Sequence, residues 1–327
     1  MKEDQSNVKD PTLSVDLSEA TQAVKENRFE DALSLFEIIL KDHPDNIDAL
    51  YLASVSSRYL KKFDESQKYI EHLLLKAPDM GRAYQELGHI NRDMKNDEKA
   101  VINYRQACEL NPALLASWNM LHQYFVKNKN QPAADHAQQQ IKKLESLPPA
   151  LLYIDQILNE GRLGLAERQC RAFLKKNPTH TYAMSLLSEI ANRLGYFDDA
   201  EFLLEKAVEF KPNDGDLRMQ YAAILRKKQK FAKTMEQVNI LCDQYPDNPI
   251  YQAQKASEIM QNGDHAQAIK MFDDILNKNP YNFSTHTSKG HAQKTLGKTD
   301  KAIKSYQSAY QIKPDHGEAY FSLANLK

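Results

Sequence analysis

Proline punctuates this chain at a fixed interval. Prolines stand at positions 44, 78 and 112, then at 178, 212, 246, 280 and 314, so neighbours are 34 residues apart except across a central gap of 66. A proline lacks an amide hydrogen and forces the residue before it out of the helical region, so each one closes a helix. Residues 81–114 show what lies between two stops. Ala83, Tyr84, Leu87, Gly88 and Ile90 form one apolar stripe, and Ala100, Val101, Tyr104, Ala107 and Cys108 form a second, both at helical spacing. The central gap holds two such units, one shortened by two residues. Counting the proline as the thirty-second residue, units start at 13, 47, 81, 115, 147, 181, 215, 249, 283 and 317.

Other positions in the unit obey the demands of packing. The twentieth holds Ala32, Ser66, Ala100, Ala134, Ala166, Ala200, Thr234, Ala268 and Ala302, all small. The eighth holds Ala20, Ser54, Gly88, Ser188, Ala222, Ala256 and Gly290, whereas the twenty-fourth holds Phe36, Ile70, Tyr104, Leu204, Val238, Phe272 and Tyr306. Small facing large is how helix layers interdigitate at interior density. Paired helices at this period resemble the tetratricopeptide repeat (TPR), from about residue 13 to the end of the chain. The resemblance implies an all-α fold, a right-handed superhelix (α-solenoid) of nine helix-turn-helix repeats plus a truncated tenth.

Composition narrows the function classes. Lys and Arg number 43 against 44 Asp and Glu, with no long run of one sign, which argues against a general nucleic-acid or anionic-membrane surface. Cys108, Cys170 and Cys242 lie near core positions of second helices and read as buried small hydrophobes of a reducing compartment. The start MKEDQSNVKD has no apolar core, and no stretch is long and apolar enough for a membrane span. The expected location is cytoplasmic.

Along the chain, residues 1–12 read as a flexible N-terminal tail, with Ser14 or Asp16 capping the first helix. Phe29, Phe63, Phe197 and Phe231 share the entrance to second helices, where packing at the bend is expected. Gly195, Gly263 and Gly297 mark bends that need a left-handed residue. The pattern strains near residues 144–150. His122 and Ile154 take the small position, Gln138 replaces a large apolar residue, and Leu147-Pro148-Pro149 replaces the usual turn. A change of pitch, or a hinge, is expected at this seam.

Catalytic chemistry is not expected of this chain. The glycines are scattered, and Gly161-Arg162-Leu163-Gly164 lacks phosphate-loop spacing. His286 and His291 stand five apart, on different helix faces, and His43, His180 and His316 flank turns, where solvation accounts for them. Asp198 and Asp199 complement a helix dipole. Trp118 reads as a packing aromatic.

The TPR resemblance directs attention to the concave face, where the family binds extended peptides through positions two, five, nine and twelve of the first helices. It implies a protein-interaction module with candidate groove residues Tyr51, Arg58, Arg82, Gln85, His89, Arg92, Asn119 and Gln123. Arg58, Arg82, His89 and Arg92 would form a cationic strip able to accept an acidic segment. The pairs Leu17/Thr21, Tyr51/Val55, Gln85/His89 and Asn119/Gln123 differ from the lysine and asparagine of chaperone-tail adaptors, which disfavours that class. The ending GEAYFSLANLK resembles the junction in bacterial proteins where TPR units precede a sulfotransferase domain. It implies an alternative in which this chain positions the substrate of a PAPS-dependent sulfotransferase whose catalytic domain follows Lys327. An unfinished tenth repeat with Tyr320, Leu323 and Ala324 in its helix fits a longer parent protein.

Overall fold

The computed structural model describes residues 11–314 and 317–325. Nineteen α-helices and no strand occur among the described residues, numbered α1 (Pro11–Lys25) to α19 (Gly317–Ala324). The expected all-α repeat of helix pairs is the architecture observed. Each odd-numbered helix from α1 to α17 runs through a three-residue bend into the next even one, and four-residue turns join most pairs to their successors. First helices begin at Ile47 (α3), Gly81 (α5), Leu115 (α7), Thr181 (α11), Gly215 (α13), Pro249 (α15) and Phe283 (α17). Asn46, Asn130, His180, Asp214, Asn248, Asp264 and Asn282 cap the helices that follow them through side-chain acceptors. His180 thus has a structural task rather than a merely solvated position.

Two compact units divide the chain at residues 169 and 170. In unit 1, α1 to α8 pack in sequence order, each on its neighbour; in unit 2, α11 to α19 do the same. The core is a ladder of small residues against large rings. Ala20, Ala32 and Ala49 surround Phe36, Ala256 and Ala268 surround Phe272, and Ala83 lies with Leu50, Ile70 and Leu73. The closest approaches use glycine. A Cβ on Gly88 would stand 2.6 Å from the Tyr104 ring, and one on Gly290 equally close to Tyr306.

Bends are built more uniformly than glycine alone predicts. Gly161, Gly195, Gly263 and Gly297 have positive φ, but Asn27, Lys61, Lys95, Lys129 and Gln229 hold the same conformation, with φ between 56° and 61°. Backbone closure imposes it: at the α5–α6 bend the amides of Lys95 and Asn96 bond the carbonyls of Arg92 and Asn91. The helix caps therefore outweigh the intrinsic cost of a side chain in the left-handed region.

Two expectations are corrected. Helix α1 starts at Pro11, so Ser14 and Asp16 lie inside it rather than at its cap; residues 1–10 of the expected tail lie outside the described residues. Phe197 and Phe231 are 37% and 44% exposed, because the bend turns them toward solvent, whereas Phe29 stacks on Tyr59 at 4.3 Å and Phe63 joins a core cluster. His316 and Lys327 also lie outside the described residues. Replacing Gly88 or Gly290 by Ala should destabilise the protein by about 1–3 kcal/mol through overpacking against the tyrosine ring. Thermal melting checks this, with Gly164→Ala as control, since a Cβ at Gly164 meets nothing within 4 Å.

Candidate functional site

The candidate residues come from three first helices of unit 1. Tyr51 and Arg58 lie on α3 (Ile47–Tyr59), Gln85, His89 and the arginines Arg82 and Arg92 on α5 (Gly81–Asp93), and Asn119 and Gln123 on α7 (Leu115–Lys127). Adjacent first helices touch at about one repeat of separation. Ser117 donates to Gln85 Oε1 at 3.0 Å, and the Arg82 guanidinium sits 4.9 Å from the Tyr51 ring centroid. The structure thus brings the candidates of α3, α5 and α7 onto one connected face.

That face is not the free cationic strip expected of it. Arg58 donates from Nε to Glu86 Oε1 at 2.6 Å and from Nη1 to Asp93 Oδ2 at 3.3 Å, and its side chain is only 10% exposed. Arg92 donates to Asp93 at 2.7 Å and reaches Met120 Sδ at 3.4 Å. Arg82 pairs with Glu160. His89 bonds Tyr104 OH through Nδ1 at 2.7 Å; burial, with Arg58 and Arg92 nearby, pushes its imidazole down to about 4, so it is neutral near pH 7. Three arginines meet three carboxylates, and the fourth member carries no charge. A buried arginine must be paired to be tolerated, which is why the carboxylates are there.

Sequence reading missed Glu86, Asp93, Met120, Tyr124, Lys127 and Glu160. For three of them a signal exists: Glu86 and Asp93 follow Arg58 by 28 and 35 residues, and Met120 follows Arg92 by 28, close to one repeat. Those partners could have been found by shifting along the period. Glu160 could not, because it lies 78 residues after Arg82 (160 − 82), off the repeat.

The remaining open part of the face is a cleft of about 150 Å³ between α5, α6 (Asp97–Leu110) and α7. Val101, Tyr104, Met120 and Tyr124 line it, with Arg92, Gln123, Asp97 and Lys127 at its edge. Lys127 and Asp97 pair at 2.8 Å while both stay well exposed. Asn119 is spent on its own helix, donating to Leu115 O at 3.1 Å. Trp118 donates its indole N–H to Pro112 O at 2.9 Å and meets His136 edge-on, a packing role.

The seam is the largest departure from regular stacking. α9 (Pro149–Asn159) follows a three-residue connection in which Pro148 is extended, at φ −54° and ψ 137°. Gln156 bonds the turn before α7: its O accepts from Asn111 Nδ2 at 3.1 Å and its Nε2 donates to Ala113 O at 3.0 Å. Glu160 then pairs with Arg82 at the start of α5, and Arg162 with Asp48 at the start of α3, at 3.5 Å. Helix α9 and the bend after it therefore reach the beginnings of α7, α5 and α3 in turn. Leu151, Ile154, Ile157 and Leu158 are at most 2% exposed, each worth about 1.5–3 kcal/mol of burial. Burial pushes the Glu160 carboxyl up, with Arg82 opposing, and raises the Tyr51 hydroxyl to about 12.

Unit 2 repeats some of these devices. His291 bonds Tyr306 OH through Nδ1 at 2.9 Å, the counterpart of His89 and Tyr104, and its Nε2 faces Glu318 at 3.2 Å. Lys230 pairs with Glu201 at 2.6 Å, and Arg226 pairs with Glu258. A shallower depression of about 630 Å³ lies beside Asn213, Asp216, Tyr245 and Tyr251. The three cysteines are free and buried, and burial pushes the Cys108 and Cys170 thiols up to about 12. Among the described residues no His, Cys, Asp or Glu group is placed to hold a metal, and no helix is long and apolar enough to cross a membrane.

The lowered His89 value has a stability consequence. The folded protein takes up this proton less readily than the unfolded chain, so the contribution is intact above the ordinary 6.5 and is lost as pH falls toward 4. The melting temperature of the wild type should fall over that range by several degrees more than that of His89→Gln. Parallel curves would remove His89 as a cause of acid lability.

Family models for the tetratricopeptide repeat match residues 81–114, 182–214 and 283–316, and a second such model matches residues 17–57. Among solved structures, YrrB, described as a TPR protein with an unusual peptide-binding site, is 16% identical, with 57% of this chain and 96% of that chain covered and a TM-score of 0.43. A MamA structure is also 16% identical, covering 50% of this chain and 96% of that one at a TM-score of 0.44. No curated protein matches the chain. Matched tetratricopeptide repeats thus occur within residues 1–169 and again within 170–327.

Proposed function

We propose that this chain is a protein-interaction module whose first-helix face in unit 1 receives an extended peptide or a loop of a partner protein. The observation that carries the reading is the cleft between α5, α6 and α7. It has an apolar floor of Val101, Tyr104 and Met120 and a mixed polar edge of Arg92, Gln123 and Lys127. An aromatic and methionine floor with a wet, charged rim is the composition of a peptide-binding hot spot. Because Arg58 and Arg82 are already paired, selectivity for charge falls to Arg92 and Lys127, which share their carboxylates with solvent.

The three buried free thiols suit a reducing compartment, and the cytoplasm is the location this reading assigns. The alternative, an array that positions the substrate of a following PAPS-dependent sulfotransferase domain, draws its support from the residues after Pro314 alone. Sulfuryl transfer from PAPS by the native protein is its assay.

Met120→Ala combined with Lys127→Glu should reduce capture of the protein's native partners from its own cells by at least about tenfold, as loss of a central apolar anchor and a rim charge does. Helicity and melting should be unchanged, since both side chains are partly or fully exposed. An unchanged set of captured partners would overturn the cleft as the binding site.

A further inference from the structure

The way α9 lies on unit 1 resembles a bound ligand more than a stacked repeat. In regular stacking a first helix touches the first helix one repeat earlier, as Gln85 with Ser117 or Arg58 with Glu86. Helix α9 and the bend after it instead meet three elements at separations that grow along the chain: 43 and 45 residues at the turn before α7, then 78 at α5 and 114 (162 − 48) at α3. Two neighbouring prolines, Pro148 and Pro149, replace the turn that would have set it in register. Its apolar side is sealed through Leu151, Ile154, Ile157 and Leu158, and its polar grip consists of a reciprocal amide contact to backbone carbonyls plus one buried carboxylate.

That carboxylate is out of place for a residue serving its own helix. Glu160 caps the C-terminal end of α9, where the helix dipole disfavours negative charge. Its side chain is only 3% exposed, and the compensating cation comes from α5, as Arg82, which in turn rests on the Tyr51 ring. Arg82 Nε contacts Glu160 Oε1 directly, and this guanidinium opposes the effect of burial on the carboxyl. The seat is thus matched to an acid-bearing helix.

We propose that the seat across the starts of α3, α5 and α7 is a binding site for an amphipathic helix carrying a carboxylate, read by Arg82 over Tyr51, and that α9 occupies it in cis. The proposal rests on the interaction-module reading and adds the chemistry of a partner: an apolar face with an acidic residue at its C-terminal end. It uses a different surface from the cleft at Met120, so either can fail alone. A trans helix that presents a carboxylate to Arg82 competes with α9 and releases it.

The test uses the full chain and a fluorescein-labelled peptide of residues 147–163. By anisotropy, the Glu160→Arg chain should bind this peptide at least about tenfold more tightly than the wild type does, because like charge at Arg82 weakens the cis occupant. Binding should fall when Glu160→Gln is placed in the peptide or Arg82→Ala is added to the chain. Equal binding by wild type and Glu160→Arg, or binding indifferent to both further changes, overturns the proposal. If Glu160→Arg loses helicity, hydrogen exchange of the Glu160→Gln chain decides instead. Amides of 149–159 should exchange faster while those of α3 and α5 hold, and unchanged protection of α9 would overturn it.

Discussion

The close approach of paired helices is the constraint on which the rest depends. A first helix can lie against its second only where one side chain is nearly absent, and Gly88 beneath Tyr104 and Gly290 beneath Tyr306 show the limit of that approach. Because the ring then spans the hairpin, its hydroxyl emerges beside the ninth repeat position, where His89 and His291 bond it. One packing rule thus fixes the hairpin, buries the ring and immobilises a histidine on the face available for binding.

Charge on that face follows from the same stacking. First helices in neighbouring repeats stand close enough that an arginine on one is half covered by the next, and a half-covered guanidinium needs a partner. Arg58 takes Glu86 and Asp93 from the following repeat, and Arg92 takes Asp93. The face is therefore balanced and locally ordered instead of broadly basic. The charges that stay accessible on this face are those at the edge of the α5–α7 cleft, Arg92 and Lys127.

The seam shows how a small covalent change redirects a repeat. Loss of two residues and the Leu147-Pro148-Pro149 connection remove the turn that would seat α9 beside α7. The helix still has an apolar stripe to bury, and Leu151, Ile154, Ile157 and Leu158 are buried. After residues 144–150, Gln156, Glu160 and Arg162 reach the turn before α7 and the starts of α5 and α3.

Sequence alone determined the helix pairs, their period and the small-against-large core, because proline stops and side-chain volume act through near neighbours. It placed Tyr51, Arg58, Arg82, Gln85, His89, Arg92, Asn119 and Gln123 on three successive first helices, since period converts directly into face. It did not yield the state of those side chains. Whether Arg58 is free or paired depends on contacts made one repeat away, and whether Phe197 is covered depends on the angle of a bend. The return of α9 onto Arg82 belongs to tertiary structure entirely: no period connects residues 78 apart, and only the folded course of the chain brings Glu160 to its cation.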